Sequence, residues 1–212
     1  MMALMLSSVE ARVVGCLLEK EVTTPDVYPL TLNALVTACN QATNRDPVTQ
    51  LNGPEIEACL LDMKTRGLIR VVHSPSNRAT KYRQVINEKL DLDDADRALV
   101  CVLLLRGAQT AAELRTRTER LHAFGSPDAV EARLEALAQR AEPLTQRLER
   151  QAGQKEARWI ELISDEPWMG SSSGSPSSSR APGTTERFEA LESRVAELEA
   201  TVARLLAELG AE

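Results

Sequence analysis

Leu68-Ile69-Arg70-Val71-Val72-His73 and Thr80-Lys81-Tyr82-Arg83-Gln84-Val85-Ile86 are two runs rich in β-branched and aromatic residues, separated by Ser74-Pro75-Ser76-Asn77. Branched side chains fit a pleated surface, and a Ser/Pro/Asn cluster reverses the chain, so this stretch predicts a hairpin. Upstream, Gly53-Pro54 places a proline where a helix starts, Ile56, Leu60 and Met63 recur at helical spacing, and Arg66-Gly67 supplies a stop. Leu32, Leu35, Val36 and Cys39 form an earlier helical stripe. Before that, the capping-box pattern Ser7-Ser8-Val9-Glu10 opens a helix carrying Val13, Val14, Leu17 and Leu18.

The order helix, helix, helix, hairpin then recurs. Asp96-Arg97 opens a helix through Leu99 to Leu105, and Arg97 and Cys101 repeat Arg12 and Cys16 at one offset of 85 residues. Thr110-Ala111-Ala112-Glu113 is a further capping box, Ser126-Pro127 starts a third helix, and Leu144–Leu148 and Ala157–Ile163 flank a turn-forming stretch. Three short helices closed by a β-ribbon describe a winged helix-turn-helix, whose third helix normally enters the groove of DNA. The expected fold is therefore mainly α with small β-hairpins: tandem winged helix-turn-helix domains over 7–90 and 91–168, plus a C-terminal coiled-coil helix.

Composition agrees. Of the 212 residues 43% are hydrophobic but only 3% are aromatic, so the core must be aliphatic, which favours small helical units over a sandwich or barrel. No apolar run approaches the ~20 residues that cross a bilayer, and Met1–Leu6 lacks the basic start and cleavage pattern of a signal peptide. Cys16, Cys39, Cys59 and Cys101 match no zinc or disulfide spacing and read as small core hydrophobes. A cytoplasmic protein with no membrane partner is expected.

Residues 169–185 include seven Ser, three Gly and two Pro and read as a flexible linker. Beyond it, Phe188, Leu191, Val195, Leu198, Val202, Leu205 and Leu209 alternate at spacings of 3 and 4, a heptad seam within 186–210. Arg187 and Arg194 stand at g positions and Glu192 and Glu199 at e, which predicts a parallel homodimer; a helix folded back on its own chain is the alternative.

The stretch Thr24-Pro25-Asp26-Val27-Tyr28-Pro29-Leu30-Thr31-Leu32-Asn33-Ala34-Leu35 resembles the signature of the YceH family of bacterial proteins. The likeness continues through Ala38-Cys39-Asn40-Gln41, Asn44-Arg45-Asp46-Pro47-Val48 and Tyr82-Arg83. It covers about Leu6 to Trp168 and implies a tandem winged-helix fold with no established activity. The Ser-rich linker and heptad tail read as departures from shorter members.

Charge is unevenly apportioned. Residues 1–90 carry a net +1, 91–168 a net −4 and 169–212 a net −3, within a total of −6. Only the first unit is expected to face phosphate without repulsion. Arg78, Lys81 and Arg83 of its wing are the candidate phosphate contacts on double-stranded DNA, with Arg45 and Arg70 in support. The third helix argues otherwise, since Glu55, Glu57 and Asp62 are poor readers of base edges. The first expectation is a DNA-binding regulator or nucleoid accessory factor. The alternative is a non-enzymatic scaffold that holds another protein.

No catalytic constellation emerges. His73 and His122 have no nucleophile pattern beside them, and no Gly-rich phosphate loop occurs. Cys39, Cys59 and His73 lack zinc spacing, and Asp91, Asp93, Asp94 and Asp96 read as a helix cap, so no cofactor, no metal and no enzymatic activity are expected.

Overall fold

The computed structural model describes residues 4–74, 77–150 and 154–169. The heptad residues from Phe188 to Leu209, and nearly all of the linker, lie outside the described residues. So do the side chains of residues 74–78, among them Arg78.

The first half contains α1 (Ser8–Thr23), β1 (Leu30–Thr31), α2 (Leu32–Cys39), α3 (Gly53–Thr65), β2 (Ile69–Ser74), β3 (Asn77–Gln84) and α4 (Ile86–Lys89). The second contains α5 (Asp94–Arg106), α6 (Ala111–Thr118), α7 (Pro127–Ala138), β4 (Thr145–Arg147) and β5 (Trp159–Glu161). The capping boxes at Ser7 and Thr110 set the starts expected of them, whereas α5 begins at Asp94, two residues before the expected Asp96. Ser7 Oγ accepts from the Glu10 N–H while Glu10 accepts from the Ser7 N–H, and Thr110 and Glu113 repeat the exchange. Asp93 caps α5 by accepting from the Asp96 N–H at 2.9 Å. Asn52 and Glu55 form another such box at α3, a reciprocal pair that Gly53-Pro54 masks in the sequence.

Both β-ribbons form, with shifted limits. The first pairs Ile69 with Gln84, Arg70 with Arg83, Val71 with Tyr82 and Val72 with Lys81 in antiparallel register. It stops at Gln84, because Val85 turns into α4 and Ile86 is buried there. A third strand joins it: Leu30 and Thr31 pair with Tyr82 and Lys81, giving the order β1-β3-β2. The second ribbon is short, three residues a side.

Two helices are central, each buried on every side along part of its length, α5 through an unbroken apolar run and α1 even though it carries Glu10 and Arg12 there. Residues Glu10 to Leu18 of α1 and Ala98 to Leu105 of α5 are continuously buried. On α5, Val100, Cys101, Leu104 and Leu105 share a core with α1, α2 and α3, whereas Leu99, Val102 and Leu103 pack with Leu114, Val130, Leu134 and Trp159. The equivalent helices of the two halves thus pack against each other. Gly15 permits the close crossing, since a Cβ there would lie 2.8 Å from the Leu105 side chain, and the Cys101 thiol donates to the Gly15 carbonyl at 3.3 Å. Tertiary contact between the halves also runs through Leu6, whose N–H donates to the Ile163 carbonyl at 2.8 Å.

Candidate interaction surface

Helix α3 buries Ile56, Leu60 and Met63 and turns Glu55, Glu57, Ala58, Leu61, Asp62 and Lys64 outward. Leu61 is 67% exposed, an unusual position for a large aliphatic side chain between acidic neighbours. Successive strand residues point to opposite faces, so the register divides β2–β3 into two surfaces. Val71, His73, Thr80 and Tyr82 face α3 and, together with Pro54, Glu57, Leu61 and Lys64, line a groove of about 550 Å³. Arg70, Arg83 and Lys81 stand on the other face of the ribbon.

The basic face is partly neutralised. Arg70 and Arg83 both pair with Glu88 of α4, at 3.2 and 3.1 Å. All three side chains are more than a third solvent-exposed or close to it, so each pair contributes about 0–1 kcal/mol and breaks readily. Arg66, at the end of α3, is held by Glu10 at 2.7 Å and by Asp62 at 3.2 Å.

Arg45 does not belong to this surface, and its expected supporting role at phosphate is corrected. Its side chain is fully buried. Its Nη atoms donate to both carboxylate oxygens of Glu19, Nε donates to the Ala38 carbonyl at 3.0 Å, and further bonds go to the Asn44 carbonyl and Gln41. Every direction of the guanidinium is taken, because the loop after α2 must satisfy its own carbonyls inside the fold. Asn40 does the same from the other end of that loop, donating to the Leu51 carbonyl and accepting from the Leu51 N–H and the Thr49 hydroxyl. The Tyr28 hydroxyl accepts from the Gln84 N–H at 2.9 Å and ties the segment before β1 to the ribbon. Burial raises the Tyr28 hydroxyl well above the ordinary tyrosine range.

The thiols are structural in their setting. Cys16, Cys39 and Cys101 are buried, and Cys59 is half-buried, where desolvation pushes its thiol up to about 12. Among the described residues no three His, Cys, Asp or Glu side chains are grouped so as to hold a metal ion.

Sequence reasoning missed the groove. Its signal was Leu61, out of phase with Ile56, Leu60 and Met63 on α3, together with the like parity of Val71 and His73 on β2. It also missed Glu88 as the counter-charge of the wing, which only the turn into α4 brings into reach.

Residues 6–154 match the family model described as "Protein of unknown function, DUF480". The "UPF0502 protein YceH" of Salmonella paratyphi A is 47% identical over 210 residues, covering 97% of this chain and 98% of that protein. The chain belongs to the YceH family. A UPF0502 protein of Cellvibrio japonicus is 42% identical over 208 residues, 95% of this chain and 94% of its own, and one of Geobacter sulfurreducens is 44% identical over 206 residues, 96% and 91%. These alignments reach into the last 44 residues of this chain, so these relatives are not the shorter members from which the linker and tail were expected to depart. The quoted motif residues Tyr28, Asn40 and Arg45 tie elements of the fold together and leave the exposed α3 face to be judged on its own chemistry. No helix among the described residues is long and apolar enough to cross a membrane.

Proposed function

We propose that each half is a winged helix-turn-helix module and that the chain is a non-enzymatic cytoplasmic scaffold, which takes a protein partner through the α3–hairpin groove of its first half. The observation that carries this reading is the outward face of α3. Exposed Leu61 borders a groove with apolar walls from Leu60, Val71 and Tyr82, whose charged lining is one carboxylate, Glu57, and one ammonium, Lys64. A helix set into DNA needs donors for phosphate and base edges. This one offers an exposed hydrophobic anchor point beside a partly apolar groove with a polar edge, the arrangement of a protein-binding patch. A photo-crosslinking residue at Leu61, in cells, should yield one protein adduct that resists nuclease, absent when the same group is placed at Arg147 on β4. An adduct consisting of nucleic acid would overturn the reading.

A second reading has its own support. Arg70, Lys81 and Arg83 share one face of the ribbon and outnumber Glu88 there. This would be a non-specific DNA contact, with a salt dependence set by the few phosphates neutralised. Titration of random duplex at low salt separates the two: equal affinity of the wild type and of Arg70→Ala/Lys81→Ala/Arg83→Ala removes the DNA reading.

A further inference from the structure

The second half carries a net −4, yet three of its arginines converge on a single cavity. Arg106, the last residue of α5, Arg117 on α6, and Arg120 just beyond α6 line a space of about 60 Å³ together with Thr23 of α1 and Asn44 of the loop after α2. An adjoining space of about 320 Å³ shares Thr23, Asn44 and Arg120 and is walled further by Thr24, Gln41 and Thr43.

Arg106 and Arg117 make their shortest hydrogen bonds to neutral groups, although the carboxylates of Asp46 and Glu113 also act on Arg106. Arg106 donates from Nη1 to the neutral Asn44 Oδ1 at 3.1 Å, and its Nε is buried with no hydrogen-bond partner. Arg117 donates to the neutral Gln109 Oε1 at 2.6 Å and reaches Glu113 only at 3.5 Å, a carboxylate it shares with Arg158. Glu19 also borders the cleft, but its carboxylate is held by Arg45 at 2.7 Å and Lys20 at 3.1 Å. Burial, and then the positive charge of Arg117, lower the pKa of Arg106, while the carboxylates of Asp46 and Glu113 oppose the shift.

We propose that this cleft binds a small phosphorylated ligand, the arginines of α5 and α6 taking its phosphate and the threonine- and glutamine-walled space beside them taking a hydroxyl-bearing body such as a sugar. Planar guanidinium forks match the oxygens of a phosphate, and a dianion relieves the repulsion among three cations better than a carboxylate does. Hydroxyl and amide groups in the adjoining wall pair with sugar hydroxyls as donors or acceptors. None of these residues lines the α3–hairpin groove, so the site stands or falls apart from the partner reading.

The test uses the full chain with ribose 5-phosphate, inorganic phosphate and unphosphorylated ribose, ionic strength being held constant with chloride. Calorimetry and the midpoint of thermal unfolding are read for the wild type, Arg106→Gln and Arg120→Gln. Expected are saturable binding and a raised midpoint with ribose 5-phosphate, a smaller effect with phosphate, and none with ribose. Affinity should fall at least about tenfold in either variant, as loss of a charge-assisted hydrogen bond requires. Arg120 is exposed, so its variant should keep the wild-type midpoint in chloride and stay interpretable if Arg106→Gln is unstable. No saturable response in the wild type, equal affinity in Arg120→Gln, or displacement of ribose 5-phosphate by a short DNA duplex would each overturn the proposal.

Discussion

Arg45 and Glu19 meet in a two-pronged ion pair, Nη2 to Oε2 at 2.7 Å and Nη1 to Oε1 at 3.1 Å, with the arginine side chain wholly buried. The pair joins the loop after α2 to the middle of α1. Burial alone would push the Glu19 carboxyl up; hydrogen bonds and charge from Arg45 outweigh it and hold the carboxyl below the ordinary glutamate range. Arg45→Met leaves Glu19 with only Lys20 and orphans the Ala38 and Asn44 carbonyls, and should cost about 3 kcal/mol in urea unfolding. Arg45→Lys should recover only part of this, because an ammonium cannot span both carboxylate oxygens. A loss within about 0.5 kcal/mol, as at a surface site, would contradict the structure.

The same pair sets a pH dependence. A carboxyl whose folded value lies below its unfolded one, about 4.3, contributes stability in full above that unfolded value and loses it as pH falls through the folded value. Unfolding free energy should therefore drop on acidification below about pH 5, and the drop should be shallower in Glu19→Gln at matched ionic strength. Identical slopes in the two proteins would show that Glu19 titrates as in the unfolded chain.

Gly107 ends α5 at φ +70° and ψ −153°, a conformation that residues with a Cβ essentially never adopt. A Cβ there would also run into the Trp168 carbonyl, which accepts from the Ala108 N–H at 2.8 Å. Backbone strain and a collision with main chain act together, so Gly107→Ala should destabilise by about 3 kcal/mol. Calorimetry of the variant should show a lowered midpoint; an unchanged one would mean that the segment ending at Trp168 does not close over α5.

Leu60 and Leu61 are neighbours with opposite fates, 2% and 67% exposed. Leu60→Ala empties a core site and should cost about 2–5 kcal/mol. Leu61→Gln should leave stability within about 0.5 kcal/mol and, on the scaffold reading, abolish partner capture. If Leu61→Gln destabilises as much as Leu60→Ala, the exposed face of α3 is wrongly drawn.

Self-association is argued from sequence alone. The heptad residues Phe188 to Leu209 carry complementary g and e charges, so removing residues 186–212 should lower the mass found by light scattering to that of a single chain. A single-chain mass before truncation would favour the fold-back alternative.

Helix starts, helix stops and the first ribbon were legible because each is a local event. A serine or threonine accepts an N–H three residues on, a glycine after Arg66 takes φ +67°, and the two runs of the first ribbon pair in antiparallel register. Helix α1 read only as a helix with one apolar face, and α5 as an apolar run through Leu99 to Leu105; the burial of α1 on every side, Glu10 and Arg12 included, was not legible. Which surface they would bury was not in the pattern. That Val100 and Leu104 face α1 while Val102 and Leu103 face α7, and that Gly15 is the crossing point, follow from packing against residues distant in the sequence. Charged side chains were least legible, for a physical reason. A guanidinium reads the same in a sequence whether it ends in solvent, like Arg70, in a carboxylate fork, like Arg45, or at a cavity, like Arg106; the partner that decides among these arrives from a distant part of the chain.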